Sequence, residues 1–119
     1  MNVEDFREYC LAKKGVTESF PFDESTLVFK VMGKMFALCG LERQPTQVNL
    51  KCDPDRSVEL RARYDGQIIP GYHMSKLHWN TVLIESGLSP ALVCELIDHS
   101  FELVVAGLTK KLRQEWEAL

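Results

Sequence analysis

Positive charge is scarce in this chain. Its 119 residues carry 14 lysines and arginines against 17 aspartates and glutamates, a formal net charge of −3. A protein that holds nucleic acid strongly usually shows a basic excess, so any phosphate contact here has to come from cations gathered locally. Long apolar runs are missing too. None approaches the roughly 20 residues needed to span a bilayer, which sets the expectation of no membrane partner. Met1-Asn2-Val3-Glu4-Asp5 is acidic with no apolar stretch behind it, which argues against a secretory signal and for a cytoplasmic protein. The four cysteines, Cys10, Cys39, Cys52 and Cys94, form no C-x-x-C pair. They sit within or beside apolar segments and read as reduced, mostly buried thiols, and no local spacing supports a zinc site. The nucleophile elbow, the H-E-x-x-H pair, the P-loop and the dinucleotide fingerprint are all absent. Ser75 stands near His73 and His78 with no marked carboxylate to orient them. The expectation is therefore no enzyme, no cofactor and no metal. No repeat, low-complexity segment or linker divides the chain, so residues 1–119 read as a single, monomeric domain large enough for a real core.

What is present is a clear succession of elements. Asn2 caps an opening helix, with Asp5 in its first turn, Val3, Phe6 and Cys10 at helical spacing, and Gly15 at the stop. Val16 to Phe22 reads as extended, with Phe20 and Phe22 pointing the same way across Pro21, as an edge strand or bend. Thr26 to Met32 is the clearest strand, rich in β-branched and aromatic residues. Gly33-Lys34 suits a two-residue type II′ turn, with Met35 to Leu41 as the returning strand. Glu42 to Thr46 is a loop. Gln47 to Cys52 alternates, placing Val48, Leu50 and Cys52 inward.

Asp53-Pro54 starts a middle helix that runs to Tyr64, supported by a Glu59–Arg63 pair and ended by Gly66. Pro70-Gly71 carries a type II turn signal. Trp79 to Ile84 is a further strand, with Trp79, Thr81 and Leu83 on one face and Asn80, Val82 and Ile84 on the other. Ser89-Pro90 starts another helix, buried along Leu92, Leu96 and Ile97. A last helix begins around Ser100, with an apolar stripe of Phe101, Val104, Val105, Leu108, Leu112 and Trp116. Lys110, Lys111 and Arg113 then fall near its C-terminal end. Strands joined by short turns imply an antiparallel sheet, and the class is α+β with helices on one face.

Several ordered motifs together resemble the MmcQ/YjbR family. They are Phe20-Pro21-Phe22-Asp23, Val28-Phe29-Lys30-Val31, Gly33-Lys34-Met35-Phe36-Ala37-Leu38, Val48 through Pro54, Pro70-Gly71-Tyr72-His73-Met74 and His78-Trp79-Asn80-Thr81-Val82. The resemblance implies a CyaY-like α+β domain: an antiparallel sheet of hairpins with an N-terminal helix, a middle helix and two C-terminal helices packed on it. It also implies a DNA-binding protein with a double-wing arrangement of hairpins. Ser75 and Leu77 depart from the family pattern, which often has Asn and Arg around the lysine of that segment. The fold includes frataxin-type iron binders, which need an acidic ridge. Here Glu4, Asp5 and Glu8 are interrupted by Arg7, Lys13 and Lys14, as on an ordinary solvated helix face.

Candidate contacts to nucleic acid are Lys30 and Lys34 on and beside the first hairpin, Lys51, then Arg56, Arg61 and Arg63 on the middle helix, and Lys76 with His78. From Lys51 to His78, five lysines and arginines meet four acids, a nearly balanced surface. Tyr72 and Trp79 are candidates for stacking on bases. The alternative is a small-anion or metabolite site formed by His73, Lys76, His78 and Asn80, with His78 and Asn80 on one strand face. A third class is a protein-interaction module that accepts a partner strand or helix on the exposed side of the sheet.

Overall fold

The first helix forms where its cap and stripe coincide. In the computed structural model, which describes residues 1–71 and 74–119, α1 spans Val3–Leu11 and the Asn2 side chain accepts from the Asp5 amide. Phe6 is wholly buried and meets the Phe29 ring edge-on at 5.7 Å. The strands are β1 (Val16–Ser19), β2 (Thr26–Val31), β3 (Lys34–Gly40), β4 (Gln47–Lys51), β5 (Ile68–Pro70) and β6 (Trp79–Leu83). They form a six-stranded sheet, antiparallel at every neighbouring pair, in the order β1-β2-β3-β4-β6-β5. The chain is thus α+β, as its sequence implied.

The first hairpin corrects the expected turn. Val31 pairs with Lys34, so Met32 and Gly33 are the central residues, with φ of 50° and 80°. Two positive φ angles make a type I′ turn, not type II′. The shift matters because strand side chains alternate: slipping the pairing by one residue would exchange the faces of β3. A β-bulge completes the register, since Lys30 pairs with Met35 but Phe29 pairs with Ala37. Phe36 is the extra residue, and both Phe36 and Ala37 are fully buried.

The helix α2 (Pro54–Arg63) starts at the predicted cap: the Asp53 carboxylate accepts from the Arg56 amide. The expected Glu59–Arg63 ion pair is not among the contacts of the described residues; the Arg63 guanidinium lies over the Tyr64 ring at 5.5 Å. Pro70-Gly71 is not a type II turn. Gly71 has no positive φ, Pro70 closes β5 on a sheet edge, and the Gly71 amide donates to the Trp79 carbonyl at 2.9 Å.

The C-terminal half differs most from its sequence reading. The helix α3 runs unbroken from Pro90 to Ala106, so Ser100 is an interior residue and starts no helix. Val93, Leu96, Ile97, Ser100, Phe101, Val104 and Val105 are all buried, one continuous stripe that keeps the helix intact. The break falls at Gly107, and Thr109 caps α4 (Lys110–Glu117). Lys110 and Lys111 therefore open α4 and do not sit near a C-terminal end. Trp116 docks α4 back on the domain, donating from Nε1 to the Lys14 carbonyl at 2.9 Å.

Phe6, Leu60, Ile97 and Phe101 from the helices join Leu27, Phe29, Val48, Leu50 and Val82 in one core cluster, with Trp116 packed against it. All four helices thus serve one face of the sheet. Among the described residues no helix covers the other face. A small cluster of Val28, Leu38 and Trp79, with Met35 and Met74 against it, lies there.

Candidate functional site

The uncovered face is built from alternate strand positions. Cross-strand pairs share a face, so the register sorts the side chains into rows. One row runs Thr17, Lys30, Met35, then past the bulge to Lys51 and Trp79; the next runs Ser19, Val28, Leu38, Asn49, Thr81 and Ile69; a third runs Thr26, Gly40, Gln47 and Leu83. Across the second and third rows lies a cavity of about 310 Å³. Met35, Leu38 and Met74 supply its apolar lining, Phe22 one wall, and Asn49, Gln47 and Arg43 its polar side chains. Gly40 makes room for one of them. A Cβ at Gly40 would lie 2.9 Å from Arg43 Cγ, so only glycine lets the arginine stem fold over the sheet.

Asp23 is the acid at this cavity. Its carboxyl is held below the usual range by the Ser25 amide, then by the hydroxyl and amide of Thr26, all of which donate to it. Thr81 Oγ1 donates to Asn49 Oδ1 at 2.6 Å, which turns the Asn49 amide NH₂ outward as a donor. The thiols offer no comparable chemistry. Burial pushes Cys39 up to about 11 and raises Cys10 and Cys52 as well, so these sulfurs stay protonated and unreactive near neutrality.

The sequence candidates separate into two groups. Arg61 and Asn80 are engaged internally. Asn80 is only 3% exposed, and it faces the helices, opposite Leu50. Arg61 Nε donates to Asn80 Oδ1 at 2.8 Å and its Nη2 to the Trp79 carbonyl at 3.2 Å and to the Lys76 carbonyl, while Asn80 Nδ2 donates to Ser57 Oγ at 3.2 Å. This arrangement ties α2 to the start of β6. It also corrects the proposed polar face: β6 begins at Trp79, and His78 lies in the preceding turn, so His78 and Asn80 share no strand face. Arg56 is paired with Glu95 at 2.6 Å, and Arg63 stacks on Tyr64.

The second group is open. Lys34, at the hairpin tip, and Lys76 and His78, in the turn before β6, are exposed, and Lys30 and Lys51 are half-buried on the uncovered face. Lys34 pairs with Val31 and so leaves the strand on the opposite side from Lys30. Tyr72 and His73 lie outside the described residues. Trp79 is 9% exposed and packs on Val28 and Leu38, so its ring belongs to the sheet and is no stacking platform.

Sequence reasoning did not single out Phe22, Arg43, Gln47 or Asn49 as site residues. Phe22 carried a signal, since a large ring beside Pro21 in a short edge segment has little core to enter. Gln47 and Asn49 looked like the wet side of an amphipathic strand, and only the fold shows that this side forms a cavity.

The family model described as YjbR matches residues 11–103 of this chain. Protein YbdF of Escherichia coli O157:H7 is 42% identical over 92 residues, covering 77% of this chain and 75% of YbdF. Protein YyaQ of Bacillus subtilis strain 168 is 42% identical, covering 84% of this chain and 95% of YyaQ. A solved structure, Deinococcus radiodurans protein DR2400 with domain DUF419, superposes with a TM-score of 0.90 at 40% identity, over 98% of this chain and 88% of that one. The matched span covers all six strands of the sheet, α2, and α3 as far as Leu103, and on that ground the chain belongs to the YjbR family.

Proposed function

We propose that this chain is a non-enzymatic nucleic-acid-binding protein whose contact surface is the uncovered face of the sheet. The observation that carries this reading is the sign of the charge there. The charged side chains that the strands direct to that face are Lys30 and Lys51; the strand carboxylate Glu18 is paired with Phe29, on the helix side, and is held by Arg7. Lys76 and His78 flank the same end of the sheet, because the Cys52 amide next to Lys51 donates to the His78 carbonyl at 2.8 Å. A net charge of −3 opposes a polyanion over the rest of the surface, so binding is weak and local.

The test is fluorescence anisotropy of labelled DNA over a salt series. If Lys30, Lys51 and Lys76 each neutralise one phosphate, log K falls against log salt with a slope of about −2.7 for a duplex and about −2.1 for a single strand. The combined Lys30→Gln, Lys51→Gln and Lys76→Gln variant should flatten that slope nearly to zero. Absence of saturable binding at low salt refutes the reading.

A further inference from the structure

We infer that the cavity on the uncovered face receives one unstacked base of a single-stranded nucleic acid, with Gln47 and Asn49 hydrogen-bonding its edge. The inference rests on the nucleic-acid reading above and adds to it the form of the strand and the residues that hold the base.

A nucleobase has two apolar faces and an edge of donors and acceptors. The cavity has the matching parts. Its volume of about 310 Å³ stands at the lower end of small-ligand pockets, roughly 300–1,000 Å³. Met35, Leu38 and Met74 give the base an apolar bed, and the Phe22 ring, 65% exposed, stands free to stack against it. Gln47 and Asn49 are alternate residues of β4 and so project from the same face, about 7 Å apart along the strand. Among the described residues the Gln47 side chain makes no hydrogen bond, and Asn49 uses only Oδ1, towards Thr81. Two carboxamides with donors to spare at the rim of an apolar cavity suit a base edge, because an amide matches the paired donor and acceptor that a base presents.

The charge layout sets the direction of the strand. Lys51 is the next same-face residue after Asn49, and Lys30 is paired with Met35, so these two lysines stand at one end of the cavity. Asp23, beside Thr26, stands at the other end together with Arg43 over Gly40, so that end carries no net charge. Phosphates therefore lie over the lysine end and the base points towards Gln47. A duplex keeps its base edges paired and stacked and cannot deliver one to this cavity without flipping it out, at a cost of a few kcal/mol.

The experiment compares three ligands of equal length with the full chain at low salt: a single-stranded DNA, the same strand with every base removed, and the duplex. Stacking and edge contacts of one base predict that the intact strand binds about tenfold or more tighter than the abasic strand. Phe22→Ala and Gln47→Ala, at positions outside the core cluster, should each cut that preference several-fold while leaving abasic binding unchanged. Their melting temperatures, read alongside, confirm folding. Equal affinity for intact and abasic strands overturns the base cavity while leaving the lysine surface standing, as does tighter binding of the duplex. A free mononucleotide is run as a fourth ligand, and its binding with no gain for the strand overturns the strand as occupant. Failure of all three ligands to bind overturns the nucleic-acid reading itself.

Discussion

Ser100 offers the sharpest test of how this fold is held. Its side chain is fully buried in the middle of α3. Its hydroxyl donates to the Phe36 carbonyl, in the bulge of β3, and accepts from the Lys51 amide at 2.9 Å, at the end of β4. One hydroxyl thus bridges β3 and β4 just beyond the last pair of their ladder, Ala37 with Leu50. Ser100→Ala removes a single oxygen and creates almost no cavity, but it leaves two buried backbone groups without a partner. Each such group costs about 1–3 kcal/mol, so the expected loss is about 3 kcal/mol. For 119 residues, an unfolding entropy of about 2.1 cal/mol/K per residue converts this to a drop in melting temperature of roughly 12 °C. Urea unfolding gives the free energy, and amide exchange gives its location: the Lys51 amide should lose protection beyond the global change. A loss below about 1 kcal/mol, with Lys51 still protected, would refute the claim that this hydroxyl satisfies the bulge.

Arg61→Ala should destabilise by about 3 kcal/mol, because it strands the buried Asn80 carbonyl and removes charge-assisted bonds to the Lys76 and Trp79 carbonyls. Lys51→Gln, by contrast, should leave the urea midpoint nearly unchanged, which separates a cation that builds the fold from one that faces outward. Gly33→Ala should cost about 1 kcal/mol in equilibrium unfolding through its positive φ alone, since nothing lies within 4 Å of the added carbon. His99 makes stability depend on pH: its Nε2 accepts from the Asp53 amide at 3.1 Å, and burial, followed by the nearby Arg56, lowers its pKa against the opposing pull of Asp53, Glu102 and Glu95. The unfolded chain then takes up a proton near pH 6.5 while the folded chain does not, so this contribution is fully present above that pH and falls as pH drops through it. The difference in urea midpoint between pH 7.5 and 5.5 should shrink in His99→Gln, which keeps an acceptor but does not titrate.

The legible parts of this fold are those specified by neighbours in sequence. Asn2, Asp53-Pro54 and Ser89-Pro90 each cap a helix where their local chemistry says they should, because a cap needs only the amides of the next turn. The alternation of β4 also carried over, since burial of Val48 and Leu50 on one face imposes it, and β6 kept its expected faces although both are buried. The failures involve partners far along the chain. Ser100 looks like a helix start in isolation, and its actual role needs Phe36 and Lys51. Asn80 looks like the polar side of a strand, and its burial depends on Arg61 and Ser57 arriving from α2. Lys30, Lys51, Lys76 and His78 remained open to solvent at one end of the sheet, while Arg56 and Arg61 were drawn into pairs that their sequence neighbourhood does not reveal. The cavity residues Gln47 and Asn49 were hidden for a related reason: alternation marks a side chain as outward without saying what lies outside.

The strand order has a consequence for how the chain reaches this state. β4 and β5 are joined through α2, yet they do not touch; β6, later in sequence, is inserted between them. A nascent chain that has emerged only through Pro70 can assemble the meander β1 to β4 and even α2. The outer edge of β4 is then still bare, and β5 has nothing to pair with. Both are closed in one event, when Trp79–Leu83 arrives. Until then β4 presents unpaired amides and carbonyls that another copy can capture. Translation pauses or truncations falling between β5 and β6 are therefore the points at which this protein is most exposed to aggregation.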